Sequence, residues 1–317
     1  MTKTIKLIPS DVKFSVKKGE TLLSAALRQQ IPLSHSCKTG RCNSCQAIAV
    51  ENGQEKVVLT CQYQPVSDVD LIADYFPQLV GIEEKLIPCK VTDYQLINDH
   101  VLVLYLRTPP NQPLNYLAGQ YIDLSLDGVS RSYSLASLPC DGQLELHIKR
   151  VEHGVMSHQL LTQIRQNLLM RLHGPKGTFF IRDLNHSGPI VFLATGTGFA
   201  PVKAMLKQLF LEHYTGDIYL FWGNRHLSDV YDESPQQWQA FNPNFHYVPV
   251  VSQESALQPA VQGYVQQVAV QQLHDFSSAH VYACGSANMI ASAAKLLVQH
   301  GLAVTHFYSD AFVASTN

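Results

Sequence analysis

Four cysteines lie close together in Cys37-Lys38-Thr39-Gly40-Arg41-Cys42-Asn43-Ser44-Cys45 and in Leu59-Thr60-Cys61-Gln62. The first three have C-x4-C-x2-C spacing, which is the spacing of a plant-type 2Fe–2S site, and Cys61 offers a fourth thiolate. Gly40 gives the loop a position free of side-chain clash, so that loop N–H groups can point at the sulfur atoms. The stretch therefore predicts a 2Fe–2S cluster with the metal ligands Cys37, Cys42, Cys45 and Cys61.

Two other interpretations of these cysteines stay open, a structural zinc site and four unrelated buried thiols. Zinc sites usually pair two similar C-x2-C knuckles, whereas this sequence has one, Cys42 to Cys45. A disulfide framework is typical of small secreted chains, but this chain has 317 residues, and its other cysteines, at 89, 140 and 284, are scattered. The spacing favours the cluster.

Composition excludes several classes of partner. The formal net charge is −2, so no global field attracts nucleic acid or an anionic membrane. The sequence has no apolar run long enough to cross a bilayer, and Met1 to Leu7 alternate in polarity, unlike a signal peptide. We therefore expect a cytoplasmic protein with no nucleic-acid partner and no membrane partner.

The chain divides by pattern into three segments, 1–82, 83–185 and 186–317. The first predicts a small mixed sheet crossed by one helix, with strands at 5–8, 12–16, 46–50 and 57–60 and the helix at 22–29. Asn52-Gly53 is a two-residue hairpin signal between the last two strands. Residues 45 to 61 form a much shorter segment than in typical plant-type cluster domains.

The second and third segments predict two further folds. Short strands at 101–106, 121–126, 131–135 and 144–150, with a helix starting near Ser157, predict an antiparallel barrel. The third segment alternates strands at 189–194, 217–222, 245–251, 281–284 and 304–309 with helices at 201–214 and 287–300. That alternation is typical of a parallel sheet covered on both faces, an α/β fold.

Arg131-Ser132-Tyr133-Ser134, late in the barrel segment, is a weak signal by itself, because an aromatic residue and two hydroxyls also fit an ordinary half-buried strand. It gains weight from His147-Ile148-Lys149-Arg150 on a following strand and from Gly154-Val155-Met156-Ser157 at the start of a helix. A helix N-terminus binds pyrophosphate well. Arg131 adds positive charge, and Tyr133 offers a ring that can stack on a flat heterocycle.

Two glycine turns stand at the ends of strands in the third segment. Thr195-Gly196-Thr197-Gly198-Phe199-Ala200-Pro201 lies between a strand and a helix, where a dinucleotide phosphate binds, and a proline suits the first helical turn. Tyr282-Ala283-Cys284-Gly285-Ser286 ends another strand. A tight turn without a ligand is the less favoured alternative for the first turn, and Cys284 also fits as a small buried hydrophobe.

Taken in order, these motifs resemble the ferredoxin–NADP reductase superfamily, and more narrowly its iron–sulfur flavoprotein reductases with an N-terminal plant-type ferredoxin domain. The resemblance covers essentially the whole chain. It implies a multidomain protein with an α+β ferredoxin domain of the β-grasp type at 1–82, an antiparallel β-barrel flavin domain at 83–185 and an α/β nicotinamide-nucleotide domain at 186–317.

The resemblance also implies roles for individual residues. The flavin and its phosphates would be bound by Arg131, Tyr133, Ser134, His147, Lys149, Gly154, Met156 and Ser157. The nicotinamide nucleotide would be bound by Thr195, Gly196, Thr197, Gly198, Pro201, Cys284 and Gly285. The residues at the hydride-transfer site would be Ser134, Cys284, Asp310 and Phe312, the last two forming an acid-x-aromatic motif near the C-terminus.

The implied cofactors are FAD, NADH and the 2Fe–2S cluster, with hydride passing from NADH to FAD and single electrons leaving through the cluster to a protein acceptor. Stretches 116–124, 174–180 and 308–313 are similar to reductases of CDP-deoxysugar biosynthesis, whose acceptor is a dehydrase. The reductase component of a multicomponent oxygenase shares the three modules and stays an alternative. So do a free-flavin or ferric reductase and a flavin-free electron carrier or redox sensor.

NADH is favoured over NADPH by the residues that follow the second strand of the third segment. Arg225 can serve a 2′-phosphate, but the acids Asp229, Asp232 and Glu233 that come after it oppose one.

Overall fold

The computed structural model describes residues 2–34, 40, 45–151, 154–254 and 260–312. The chain forms two compact units, Met1–Glu83 and Glu84–Asn317.

The first unit is a five-stranded mixed sheet with one helix. Its elements are β1 (Lys3–Ile8), β2 (Lys13–Val16), α1 (Leu22–Arg28), β3 (Gln46–Glu51), β4 (Gln54–Leu59) and β5 (Val69–Ile72), with strand order β2-β1-β5-β3-β4. β1 and β5 are parallel and the other pairs are antiparallel. The apolar face of α1 packs in one core with alternate residues of β1, β3 and β5. The predicted sheet with one helix is confirmed.

The hairpin turn of this unit sets where its cysteines lie. Asn52 and Gly53 both have positive φ, 52° and 75°, as a type I′ turn requires. The register pairs Glu51 with Gln54 and, at the far end, Gln46 with Leu59. Residues just before β3 and just after β4 are therefore brought to the same end of the sheet.

The second unit begins with an antiparallel barrel. Its elements are β6 (Lys85–Ile97), β7 (Val101–Arg107), β8 (Tyr121–Leu126), β9 (Val129–Ser134), β10 (Leu144–Lys149), α2 (Val155–Gln163) and β11 (Leu169–Lys176). The strand order is β10-β7-β6-β11-β8-β9, and an antiparallel bridge between Leu135 and Leu146 joins the two ends. The barrel prediction is confirmed, although β6 and β11 were not predicted. β6 contains Pro88 and is polar at most of its later positions, and β11 contains Gly174 and Pro175, so neither has a clean strand pattern.

A parallel sheet completes the second unit. Its elements are β12 (Ile190–Thr195), α3 (Phe199–Leu211), β13 (Ile218–Asn224), α4 (Ser234–Phe241), β14 (Phe245–Val251), β15 (Val261–Gln262), α5 (Val265–Leu273), β16 (His280–Ser286), α6 (Ala287–Gln299) and β17 (Phe307–Phe312). The strand order is β15-β14-β13-β12-β16-β17, and all adjacent strands are parallel. Separate apolar clusters on the two faces of β12 confirm a sheet covered on both sides. None of the helices in the described ranges is long and apolar enough to cross a bilayer.

Candidate functional site

Two of the predicted cluster ligands lie side by side in the first unit. Cys45 and Cys61 are both buried, and their Sγ atoms are 3.2 Å apart. The Thr60 N–H donates to the Cys45 carbonyl at 2.9 Å. Burial raises the pKa of the Cys45 thiol, so a thiolate here needs a cationic partner, and iron supplies one. The pair therefore fits a cluster; Cys37 and Cys42 lie outside the described residues.

The segment that carries Cys61 is anchored on both sides. At the start of α1, the Leu23 N–H donates to the Thr60 carbonyl at 2.9 Å and the Leu22 N–H to the Tyr63 carbonyl at 3.0 Å. Glu51, at the end of β3, accepts the Tyr63 hydroxyl at 2.5 Å and two N–H groups of the following loop at 2.7 Å. The short segment between Cys45 and Cys61 thus still holds the last cysteine in place.

The motif predicted to bind flavin lies on β9. Ser134 is buried, and burial raises the pKa of Tyr133 to about 12. Arg131 is partly exposed, and its guanidinium donates to the Ser130 carbonyl at 2.8 Å. The strand therefore presents a half-buried aromatic ring with a charged residue beside it, and flavin binding by these residues stays a prediction.

The predicted phosphate-binding segment begins α2. Gly154 precedes the helix, and a Cβ there would lie 2.7 Å from Ser157 Oγ, so the close approach requires glycine. Ser157 Oγ lies 3.0 Å from the Gly154 carbonyl and 3.1 Å from that of Val151. Its hydroxyl thus closes the turn onto its own backbone. Met156 lies in the barrel core. The side chains of Met156 and Ser157 thus both contact other parts of the protein, and their binding of flavin stays a prediction.

The two predicted nucleotide turns pack against each other at the carboxyl ends of β12 and β16. A Cβ on Gly198 would lie 2.3 Å from the Cys284 carbonyl, and one on Gly285 would lie 2.0 Å from Thr195 Oγ1. The Ser286 N–H donates to that same Oγ1 at 3.2 Å. The remaining turn residues are Gly196 with φ 52°, Thr197, and Pro201, which is buried in the first turn of α3. Strand ends of this kind line the ligand crevice of parallel sheets.

The acid-x-aromatic motif lies beside this pair of turns on β17. The register pairs Asp310 with Cys284 and Phe312 with Ser286. Cys284 is fully buried, and burial raises the pKa of Asp310 to about 6. Phe312 is 40% exposed. The structure thus places the Cys284 thiol and a carboxyl of raised pKa side by side on β16 and β17.

His147 and Lys149 differ in their surroundings. Lys149 is exposed at the end of β10, whereas His147 is buried. His147 Nε2 lies 2.8 Å from Glu145 Oε1, and its Nδ1 lies 2.9 Å from the Tyr231 hydroxyl. Both ring nitrogens are therefore bound by protein groups, and a direct contact of this imidazole with flavin stays a prediction.

Sequence reasoning missed the buried polar network to which His147 belongs. It comprises Glu145, His147, Lys203, Tyr231 and Asp232. The signal was a charged residue inside the apolar run of β10 and a lysine within the apolar helix α3. Ligand atoms of Glu145, His147 and Asp232 lie within 4.8 Å of one another, but the Lys203 ammonium is bonded to both carboxylates, so the positive charge of a metal is already supplied.

Three protein-family models match the chain in the order of these folds. They are the 2Fe-2S iron-sulfur cluster binding domain at residues 5–66, the oxidoreductase FAD-binding domain at 88–181 and the oxidoreductase NAD-binding domain at 192–295. Together the folds and the matches define an iron–sulfur flavoprotein oxidoreductase with 2Fe–2S, FAD and NAD modules.

Relatives of known name match over the whole length. Protein RfbI of Salmonella typhimurium is 41% identical over 100% of this chain and 98% of its own length. The CDP-6-deoxy-L-threo-D-glycero-4-hexulose-3-dehydrase reductase of Yersinia pestis is 39% identical over 99% of this chain and all of its own length. The chain therefore belongs to the ferredoxin reductase family.

Solved structures agree with the fold. The Amycolatopsis cytochrome P450 reductase GcoB has a TM-score of 0.77 at 24% identity, over 98% of this chain and 99% of that one. The ferredoxin reductase in carbazole 1,9a-dioxygenase has a TM-score of 0.70 at 23% identity, over 99% of both chains. At these identities the likeness shows the fold alone.

Proposed function

We propose that this oxidoreductase takes hydride from NADH onto FAD and releases single electrons through its cluster to a protein acceptor. NADH delivers two electrons together and a 2Fe–2S cluster takes one at a time, so a flavin between them supplies the conversion. The observation that supports this order is the packing of the Thr195–Gly198 turn against Cys284 and Gly285, in the same compact unit as the flavin strand.

The residues divide into three tasks in this proposal. Tyr133 stacks on the flavin and Arg131 neutralises its phosphate charge. Ser134 donates a hydrogen bond close to the reacting nitrogen. Cys284 and Asp310 shape the transfer site, where burial raises the pKa of Asp310 to about 6, so that this carboxyl can take up and release a proton at mildly acidic pH.

The remaining predicted residues bind the two nucleotides or control access to the transfer site. Phe312, partly exposed, covers the ring face that nicotinamide must reach. The remaining contacts are assigned to His147, Lys149, Gly154, Met156 and Ser157 for the flavin, and to Thr195, Gly196, Thr197, Gly198, Pro201 and Gly285 for the nucleotide. The proposed domain boundary between the barrel and the nucleotide sheet falls at 185 and 186.

For the acceptor, we favour a dehydrase that acts on a CDP-linked deoxysugar. The Yersinia relative is named for reducing such a dehydrase and is 39% identical over essentially the full length. The second candidate is an oxygenase component, because a phenol 2-monooxygenase reductase of Pseudomonas is 29% identical over the whole chain. A free-flavin or ferric reductase is disfavoured by the two buried sulfur atoms 3.2 Å apart. We place the reaction in the cytoplasm, where NADH is available.

Anaerobic titration with NADH tests the electron order. We expect the purified protein to contain iron, acid-labile sulfide and FAD, and we expect NADH to bleach the absorbance of both flavin and cluster. The two chromophores bleach together because electrons that enter the flavin equilibrate with the cluster. Bleaching of the flavin with the cluster left oxidised would contradict the proposed path.

NADH is expected to be the better nucleotide substrate by at least about 10-fold in kcat/KM. Beyond β13, Glu254 binds the Leu227 N–H, and its other oxygen lies 3.6 Å from His226 Nδ1. A carboxylate held at this strand end repels a 2′-phosphate. Steady-state rates with NADH and NADPH provide the measurement. Glu254→Gln should lower the ratio of kcat/KM for NADH to kcat/KM for NADPH. A clear preference of the wild type for NADPH would overturn this assignment.

A further inference from the structure

Glu145 occupies a buried position where the barrel meets the helix that follows the first glycine turn. It is 7% exposed, and its Oε1 accepts the Lys203 ammonium at 2.7 Å and lies 2.8 Å from His147 Nε2. Lys203 Nζ also donates to Asp232 Oδ2 at 2.8 Å. Since Glu145 is on β10 and Lys203 is on α3, their ion pair connects the barrel to the parallel sheet.

On the barrel side, the Glu145 backbone is hydrogen-bonded to the segment that directly follows β9, the strand that carries the flavin motif. The Ala136 N–H donates to the Glu145 carbonyl at 2.8 Å, and the Glu145 N–H donates to Ser137 Oγ at 3.0 Å. Ala136 and Ser137 lie two and three residues after Ser134 in the chain. The Glu145 backbone is therefore joined to the segment that follows Ser134 by one backbone–backbone hydrogen bond and one hydrogen bond to a side-chain hydroxyl.

On the nucleotide side, the network reaches the glycine turn by two routes. Lys203 lies one turn into α3, whose first turn follows Gly198. The second route begins at Tyr231, whose hydroxyl contacts His147 and whose ring meets Trp222 edge-on at 5.1 Å. The Trp222 indole N–H donates to the Gly196 carbonyl at 2.9 Å. The backbone of the turn is thus held by the same cluster.

Because this network holds charged, largely buried side chains, removing one of them deprives its neighbours of a charged partner. Burial lowers the pKa of Lys203, but Asp232 and Glu145 outweigh it and raise that pKa overall, so the amine is charged. The side chains of Lys203 and Glu145 are 13% and 9% exposed, and salt screens such a pair far less than a surface pair. The Lys203 ammonium is shared by two carboxylates, so its position is fixed from both sides.

We propose that the Glu145–Lys203 ion pair is a clamp that aligns the nicotinamide turn with the flavin strand, which makes Glu145 and Lys203 positioning residues for hydride transfer. The inference rests on the proposed function and deepens it. Neither side chain needs to touch NADH or FAD, since each acts through the backbone beside Ser134 or Gly198. A small misplacement of two reacting groups is sufficient to slow a transfer strongly.

The test uses the full chain loaded with FAD and cluster, mixed anaerobically with NADH in a stopped-flow instrument. Glu145→Met removes the carboxylate and keeps Lys203 paired with Asp232. We expect the limiting rate of flavin reduction to fall at least about 10-fold, while the NADH concentration for half-maximal rate changes less than about 3-fold. Glu145→Gln keeps an oxygen acceptor for Lys203 but removes the charge, so we expect a limiting rate between those of Glu145→Met and the wild type, and a rate equal to wild type would overturn the role of the ion pair.

A matched control is available on the same helix. Lys207 is ion-paired with Asp141 of the barrel, so this pair also joins α3 to the barrel, but both side chains are more exposed, 28% and 27%. Lys207→Met should leave the limiting rate within about 2-fold of wild type, since exposed pairs contribute little. An equal loss in Lys207→Met would overturn the specific role of the buried pair.

Other outcomes separate the clamp from the function on which it rests. If NADH fails to reduce the flavin of the wild type, the proposed function fails and the clamp fails with it. If the wild type reacts and Glu145→Met reacts equally fast, or loses only NADH affinity, the clamp alone is overturned. If Glu145→Met does not fold, Glu145→Asp replaces it in the test. The shorter side chain keeps the negative charge but moves the carboxylate away from the Lys203 ammonium. A limiting rate equal to that of the wild type would then overturn the clamp.

Discussion

Replacing Cys61 with serine is expected to abolish delivery of electrons to a one-electron protein acceptor while leaving the flavin chemistry intact. Cys61 and Cys45 approach to 3.2 Å between sulfur atoms, so the loss of one thiolate opens the cluster on that side. We expect NADH-driven reduction of cytochrome c to fall at least about 100-fold. Reduction of ferricyanide, which accepts electrons directly from the flavin, should stay within about 2-fold of wild type.

Cys140 provides the control for this variant, because it is exposed and belongs to the second compact unit, whereas the four predicted cluster ligands belong to the first. Cys140→Ser should keep both activities and the full iron content. Survival of both activities in Cys61→Ser would show that Cys61 is not an essential ligand. Loss of both would mean that the change acts through folding, and visible absorbance of the flavin distinguishes that case.

Asp310→Asn is expected to stabilise the protein at alkaline pH and to slow hydride transfer. Burial raises the pKa of Asp310 to about 6, so its neutral form is favoured in the folded state. The stability that this group contributes is present below its unfolded pKa and is lost as the pH rises through 6. Relative to a group that stays neutral, Asp310 therefore lowers the free energy of unfolding by about 3 kcal/mol at pH 8 and by about half of that at pH 5.

Asparagine resembles the protonated acid and avoids this penalty. Asp310→Asn should therefore raise the melting temperature at pH 8 by about 6 °C or more, and by less at pH 5. The same variant cannot hold or release a proton, so we expect flavin reduction by NADH to fall about 100-fold. Thermal melts at the two pH values and stopped-flow traces provide the measurements.

An exposed aspartate serves as the comparison. Asp127 lies in the turn between β8 and β9 with φ 46°, a conformation that asparagine also adopts. Asp127→Asn should change the melting temperature by less than about 1 °C at either pH. A stabilisation of Asp310→Asn that is the same at pH 5 and pH 8 would argue against a titrating buried carboxyl.

Most of the fold was predictable because its signals are local. The type I′ turn at Asn52 and Gly53 is decided by two residues, and the strands β8 and β14 start and end where the pattern predicts. Helices α4 and α5 were not predicted, because glutamines occupy several of their positions and blur the apolar stripe. These two helices are therefore stabilised mainly by their packing against the sheet, which the sequence of each segment does not reveal.

The candidate site was predictable as a set of motifs and not as an arrangement. The glycine turns were recognisable from spacing, yet the contact of Gly198 with Cys284 depends on the parallel register of β12 and β16. Glu145, Lys203 and Asp232 were missed as a group because they are far apart in the chain, and a charged residue in an apolar run does not indicate which distant residue it meets. No window of sequence contains all three.

By itself the sequence determined the order of three modules and the spacing of the cysteines, because these depend on residue type over a few positions. Cys61 was predicted as the fourth ligand from its place after a strand, and that role stays a prediction. Only the tertiary structure decided that its sulfur lies 3.2 Å from that of Cys45, that Asp310 stands beside Cys284, and that Glu145 meets Lys203. Such contacts depend on strand order and on packing between distant elements, which local pattern does not encode.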